Sequence, residues 1–114
     1  MENKIVSYDK ENDILVIHKG YSDDEKFKGN IDTGDLILDI STKGRIKGIE
    51  ILNATTYLKE FHIDKKLLIN LNEAEFSASV KPNGINLSII LKSNGIKNEI
   101  PAKIAVPIDT PLVY

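Results

Sequence analysis

The chain contains no cysteine and no tryptophan, and its only histidines are His18 and His62. Without thiols there is no disulfide framework, no thiolate nucleophile and no zinc finger, and two histidines do not make a multi-histidine metal centre. No run approaches the roughly 18 apolar residues that span a bilayer, and Met1 to Ser7, which holds Glu2 and Lys4, lacks the apolar core of a signal peptide. These features predict a cytoplasmic protein with no membrane role. Charge of one sign is also missing: 15 basic residues stand against 17 acidic ones, a net charge of -2. Such a field draws in neither nucleic acid nor an anionic membrane, so neither is expected as a partner. Glycines fit no phosphate-binding motif, since Gly29, Gly34, Gly44 and Gly48 match neither dinucleotide nor Walker spacing. Neither cofactor nor bound metal is expected.

What is present is a chain of 114 residues, 41% hydrophobic and 28% charged, enough to bury the core of one domain spanning 1–114. Lys4 to Tyr8 and Asp13 to His18 read as a hairpin around Asp9-Lys10-Glu11-Asn12, with Asn12 suited to a left-handed turn position. The unbroken Ile14-Leu15-Val16-Ile17 run predicts a central strand. Lys19 to Asp35, with three glycines and the acidic run Asp23-Asp24-Glu25, reads as the longest loop or the weakest strand. Leu36 to Ile40 and Arg45 to Leu52 form a second hairpin, closed by Ser41-Thr42-Lys43-Gly44 with Gly44 at positive φ. Asn53 and Asp64 are candidate N-caps of two short helices or one broken helix, with Ile63 and Leu68 placed as a hydrophobic staple. From Ala74 the apolar period is two. Turns at Asn83-Gly84 and Asn94-Gly95 then divide a three-stranded meander, with Ala74, Phe76, Ala78, Val80, Ile85, Leu87, Ile89, Leu91, Ile96, Ile100, Ala102, Ile104 and Val106 inward. Pro101 marks the last strand as an edge. The fold class is α+β.

Carrying the register back from Gly44 places Ile40 opposite Ile46, Leu38 opposite Gly48 and Leu36 opposite Glu50. Glu50 then lies on an apolar face and is expected to be mostly buried, while Asp39 pairs with Lys47 across the hairpin. A buried carboxylate suits a general acid or base, or a metal ligand shared with Asp13 or Asp39. It equally suits a structural group held by amides near Asn53 to Thr56, by Thr55 or by Tyr8, and that reading is favoured. Asp9, Asp13, Asp39 and Glu50 match no calcium-loop spacing. His18 ends a strand and His62 ends a helix, and Ser77, Ser79 and Ser88 read as solvated strand positions. Lys81, Lys92, Lys97 and Lys103 read as an outer surface, because the face lacks stacking aromatics. Glu50 and His18 are therefore the weak catalytic candidates.

Tyr8-Asp9, Asp13-Ile14-Leu15, Asp35-Leu36-Ile37-Leu38-Asp39, Gly44-Arg45 and Gly48-Ile49-Glu50-Ile51-Leu52-Asn53-Ala54 occur in one order. That string resembles the small bacterial and archaeal family called domain of unknown function 2283, over roughly residues 4–61. The sequence departs from the family pattern at Val16, where an aromatic is usual, and at Thr55, where serine is usual. The resemblance implies an intracellular protein without an assigned activity. Some members are suspected of being antitoxin-like partners of small ribonuclease-fold toxins.

Two functions remain. The first is a non-catalytic binding or assembly module, expected to be at least a homodimer because its alternating dry strands outnumber its helical cover, with the tail at 112–114 free to add to a sheet edge. The alternative is a small hydrolase or metal-assisted enzyme centred on Glu50.

Overall fold

The computed structural model describes residues 5–82 and 84–105, the last five by backbone alone. Asn83, Val106 and the tail at 112–114 lie outside the described residues, as do the side chains of Ala102, Lys103 and Ile104.

Eight antiparallel strands form two sheets. The first has the order β1-β2-β5-β4-β3 and is built from β1 (Ile5–Asp9), β2 (Ile14–His18), β3 (Phe27–Asp32), β4 (Leu36–Ser41) and β5 (Ile46–Ile51). The second is the meander β6 (Glu73–Lys81), β7 (Gly84–Ser93) and β8 (Ile96–Ala105). Both expected hairpins form, and β2, β4 and β5 are internal strands of their sheet, as their apolar runs require. The molecule is mostly β, and its helical part is confined to α1 (Ala54–Tyr57), a 3₁₀ turn at Lys59–Phe61 and α2 (Lys65–Ile69).

Leu15, Ile17, Leu38, Ile49 and Ile51 of the first sheet are almost fully buried in one core with Ile85, Ile89, Leu91 and Ile100 of the second. Ala54, Leu58, Ile63 and Leu68 close that core from the helical side. The Lys19 ammonium lies 4.5 Å from the Phe76 ring centroid, so a charged side chain lays its stem along the seam between the sheets. This packing supplies, within one chain, much of the cover whose shortage was the reason to expect self-association. Among the described side chains of the meander's dry face, those at its ends depart from the pattern, with Val80 41% and Ile96 65% exposed.

Other expectations meet local physics. Asp64 caps α2 through a 2.9 Å bond accepted from the Leu67 amide. Asn53 precedes α1 in a left-handed conformation and makes no side-chain cap. In the first turn Asp13, not Asn12, takes positive φ, because Asp9 already binds the Glu11 and Asn12 amides and the chain reverses one residue later. Asn94 and Gly95 both have positive φ, as a tight two-residue hairpin demands. Pro101 sits opposite Ser88 on the edge strand β8. Residues 19–35 contain more order than expected. β3 is an edge strand with a bulge between Phe27 and Gly29, and Glu25 is completely buried.

The register of the second hairpin is the main correction. Ile40 pairs with Ile46 as expected, but Asp39 then pairs with Gly48, Leu38 with Ile49 and Ile37 with Glu50. Lys47 is an extra residue in β5, a bulge that moves every later residue to the opposite face. Glu50 is half-buried on the outer face, away from the core, and Lys47 is buried where the Asp39 pair would have left it exposed.

Gly44 has φ +75°, and its amide donates to the Ser41 carbonyl at 2.9 Å. A β-branched residue is strained there, so Gly44→Val should lower stability by about 1 kcal/mol or more. Denaturant midpoints of the two proteins measure this directly, and an unchanged midpoint would contradict the turn.

Candidate functional site

The family-like residues of the N-terminal half converge on Asp13. Its carboxylate accepts from the Tyr8 hydroxyl at 2.7 Å, the Thr55 hydroxyl at 2.6 Å and the Thr55 amide at 3.2 Å. Its carbonyl accepts from the Ala54 amide at 2.9 Å. The first hairpin is thereby tied to the start of α1, 42 residues along the chain. Burial pushes the Asp13 carboxyl up, but the bonds from Thr55 and Tyr8, aided by the Lys65 charge, outweigh it and hold the group below its ordinary range. Burial and then the bond to Asp13 push the Tyr8 phenol up to about 12. This is the setting expected for Glu50: helix-start amide, Thr55 and Tyr8. It belongs to a different carboxylate.

A second group fills one end of the outer face. His18, Gly48, Asp39 and Asn30 occupy one row across β2, β5, β4 and β3. His18 Nε2 lies 3.8 Å from Asp39 Oδ2, and Asn30 Nδ2 donates to Asp39 Oδ1 at 2.7 Å. A β-carbon on Gly48 would stand 2.5 Å from His18 Cδ2 and 3.0 Å from Asp39 Oδ2, so the missing side chain is what lets imidazole and carboxylate meet over the strand. His18 Nδ1 accepts from the Gly20 amide at 2.7 Å. The neutral ring therefore carries its proton on Nε2, toward Asp39. Nδ1 is occupied by the Gly20 amide and Nε2 faces a carboxylate, so while that bond holds neither nitrogen is open to a substrate or a metal ion.

Beside this row lies a buried ion cluster that sequence reasoning missed. Glu25 accepts from the Ser41 hydroxyl at 2.5 Å, from Arg45 Nε at 2.8 Å and from Arg45 Nη2, and Lys47 Nζ is 3.6 Å away. The Arg45 guanidinium, against the opposing effect of burial, holds the Glu25 carboxyl down at about 2. Two signals pointed to it: the single arginine directly after the turn, and a lysine inside an otherwise apolar strand.

The remaining candidates do not gather. Asp9 caps its own turn, His62 is exposed at the end of the 3₁₀ turn, and Lys92 pairs with Glu73 at 3.4 Å. Ser88 donates to Glu99 at 3.2 Å, while Ser77 and Ser79 are exposed on β6. Among the described residues, no group of three or more histidines and carboxylates is placed to hold a metal ion. The outer face of the first sheet is itself the largest feature. Ile14, Val16 and Ile37 stand half-exposed around Glu50, with Asp32 and Asp39 alongside.

Comparison with known proteins gives a family and no chemistry. A family model described as protein of unknown function (DUF2283) matches residues 5–54. An uncharacterized protein of Methanocaldococcus jannaschii is 38% identical over 96 residues, covering 83% of this chain and 78% of the relative. A Methanosarcina mazei protein named as a putative hypoxanthine phosphoribosyltransferase is 32% identical over 87 residues, 76% of this chain and 66% of the relative. No solved structure matches.

Two substitutions separate the roles of these residues. Asp13→Ala should cost about 2 to 3 kcal/mol, because it orphans a hydroxyl pair and a helix amide and leaves alanine at positive φ, whereas Glu50→Gln should stay within about 0.5 kcal/mol. Urea melts of both variants against the parent give the comparison, and a larger loss for Glu50→Gln would restore the buried-carboxylate register. Because the Asp13 carboxyl is depressed in the folded state, its contribution is complete above the ordinary aspartate range and fades as pH falls through the folded value. The stability difference between Asp13→Ala and the parent should accordingly shrink on acidification.

Proposed function

The chain belongs to the DUF2283 family, and from that premise we propose that it is a non-catalytic binding module whose working surface is the outer face of the five-stranded sheet. The observation that carries this reading is the character of that face. Apolar side chains of three residues, Ile14, Val16 and Ile37, remain half-exposed on two internal strands, next to the carboxylates of Glu50, Asp39 and Asp32. An apolar centre with acidic neighbours suits a protein partner that presents apolar side chains among lysines or arginines. Pairing with a second copy through the same face would set these carboxylates against each other, which favours a different protein as the partner. A ribonuclease-type toxin has such a surface where it grips RNA, so an antitoxin-like role is the specific form of the proposal.

The alternatives have less support. The hydrolase or metal-assisted reading rested on a buried Glu50, and Glu50 lies half-exposed on the outer face. The name of the Methanosarcina relative suggests phosphoribosyl transfer, but the amides of the turn after Asp39 are not open to a phosphate. Those amides are taken: Thr42 donates to the Lys26 carbonyl, Gly44 to the Ser41 carbonyl, and Lys43 and Arg45 to the Ser41 hydroxyl.

The test is affinity isolation of the full chain from its own cell at low salt, alongside a Val16→Asp/Ile37→Asp variant. The reading expects one protein with a cationic surface, retained by the parent, lost from the variant, and released as salt rises toward about 0.5 M, where exposed charges are screened. A partner held equally by the variant, or turnover of a phosphoribosyl donor by the pure protein, would overturn it.

A further inference from the structure

The segment that follows β2 is fastened to the sheet at both ends. At its start the Lys19 amide donates to the Lys47 carbonyl at 2.8 Å, and at its end Glu25 is locked to Ser41 and Arg45. Between these points Gly20 and Tyr21 rest on His18, while Asp24 is tied to Lys43 Nζ at 2.7 Å. The Gly20 amide donates to Nδ1, and the Tyr21 ring stands edge-on to the imidazole with centroids 4.8 Å apart. Tyr21 brings its hydroxyl into a buried position where it has no hydrogen-bond partner. Seating Tyr21 therefore costs the solvation of that hydroxyl, and the bond from the adjacent Gly20 amide is the nearest polar contact that offsets it.

We propose that His18 is an acid-operated latch: neutral, it holds Gly20 and Tyr21 closed through the Gly20 amide, and protonated, it releases them while remaining on Asp39. The argument is one of donors and acceptors. A neutral imidazole with its proton on Nε2 offers Nδ1 as an acceptor; an imidazolium has N–H at both positions. Protonation thus sets an N–H against the Gly20 N–H and abolishes the bond. On the other side of the ring the same proton turns the Nε2 contact with Asp39 into an ion pair, so the ring stays on the sheet while Gly20 and Tyr21 leave it. Release also returns the Tyr21 hydroxyl to water.

The groups around the ring bear this out as a histidine effect. Asp39 faces it from β4, Tyr21 covers it from the segment, Gly48 of β5 has no side chain, and Ile5 is its neighbour on β1. Glu50 is one step further along β5 on the same face. Burial, Asp39 and Glu25 raise the Tyr21 phenol, which stays protonated. Asp24, bonded to Lys43 and Ser22, and Glu25, bonded to Arg45, both sit at about 2 and stay ionised through the range in which an imidazole titrates. The latch does not depend on the partner reading.

Hydrogen-exchange NMR on the full chain between about pH 8 and pH 5, with the histidine ring nitrogens observed in parallel, tests it. The expected result is a neutral tautomer protonated at Nε2, and a Gly20 protection factor that falls about five- to tenfold in step with the His18 titration, the weight of one neutral hydrogen bond. His18→Asn puts a carboxamide oxygen near the place of Nδ1 and cannot be protonated, so its Gly20 amide should keep its protection at pH 5. Protection that ignores the His18 titration, a neutral ring protonated at Nδ1, or equal loss in His18→Asn would each overturn the latch. The first two are read on the parent protein, so a poorly folded variant leaves the test decisive.

Discussion

One extra residue in β5 decides which side of the protein does what. The pairing passes from Ile40 with Ile46 to Asp39 with Gly48, and from Gly48 onward every side chain of β5 points opposite to where a regular hairpin would send it. The bulge is held by chemistry that an apolar strand does not advertise. The Lys47 ammonium is buried 3.6 Å from Glu25, which is itself buried and already bound by Arg45 and Ser41. A buried lysine is tolerated because a carboxylate meets it, and removing either partner would leave the other charge without compensation. Three consequences follow from this single insertion. Ile49 and Ile51 enter the core, Glu50 moves to the outer face, and Gly48 arrives between His18 and Asp39, where any larger residue would force them apart.

The family signature gains a physical meaning from the same structure. The tyrosine, the aspartate at the strand start and the hydroxyl residue after the alanine form one hydrogen-bonded knot around Asp13, joining a hairpin to a helix far along the chain. Serine and threonine supply the same hydroxyl, which accounts for the tolerance at Thr55. The signature glycine at position 48 is a clearance, and the glutamate beside it belongs to the surface. These residues define a scaffold and the face it presents, so the signature is compatible with partners that differ between members of the family.

Much of this architecture was legible because local rules agreed with the global fold. The Gly44 and Asn94-Gly95 turns, the change to period two at Ala74, the Asp64 cap and the edge position marked by Pro101 each have one dominant local cause. The failures share a different origin. The bulge at Lys47, the burial of Glu25 in an acidic run and the ordering of β3 depend on residues 20 or so positions apart meeting one another, as Arg45 and Glu25 do, and no turn rule or period encodes that. No local rule singles out Asp13, because its partner Thr55 lies 42 positions away. The expected burial of Glu50 fails because its register is one residue out: Glu50 pairs with Ile37 and lies half-buried on the outer face.

The register of β4 on β5 is the claim on which the outer face, the His18 row and the core assignment all stand. Cross-strand nuclear Overhauser contacts in the isotope-labelled protein measure it without any substitution. The account predicts contacts that pair Asp39 with Gly48, Ile37 with Glu50 and Ile40 with Ile46. Contacts pairing Leu38 with Gly48 and Leu36 with Glu50 would return Glu50 to the core and contradict it.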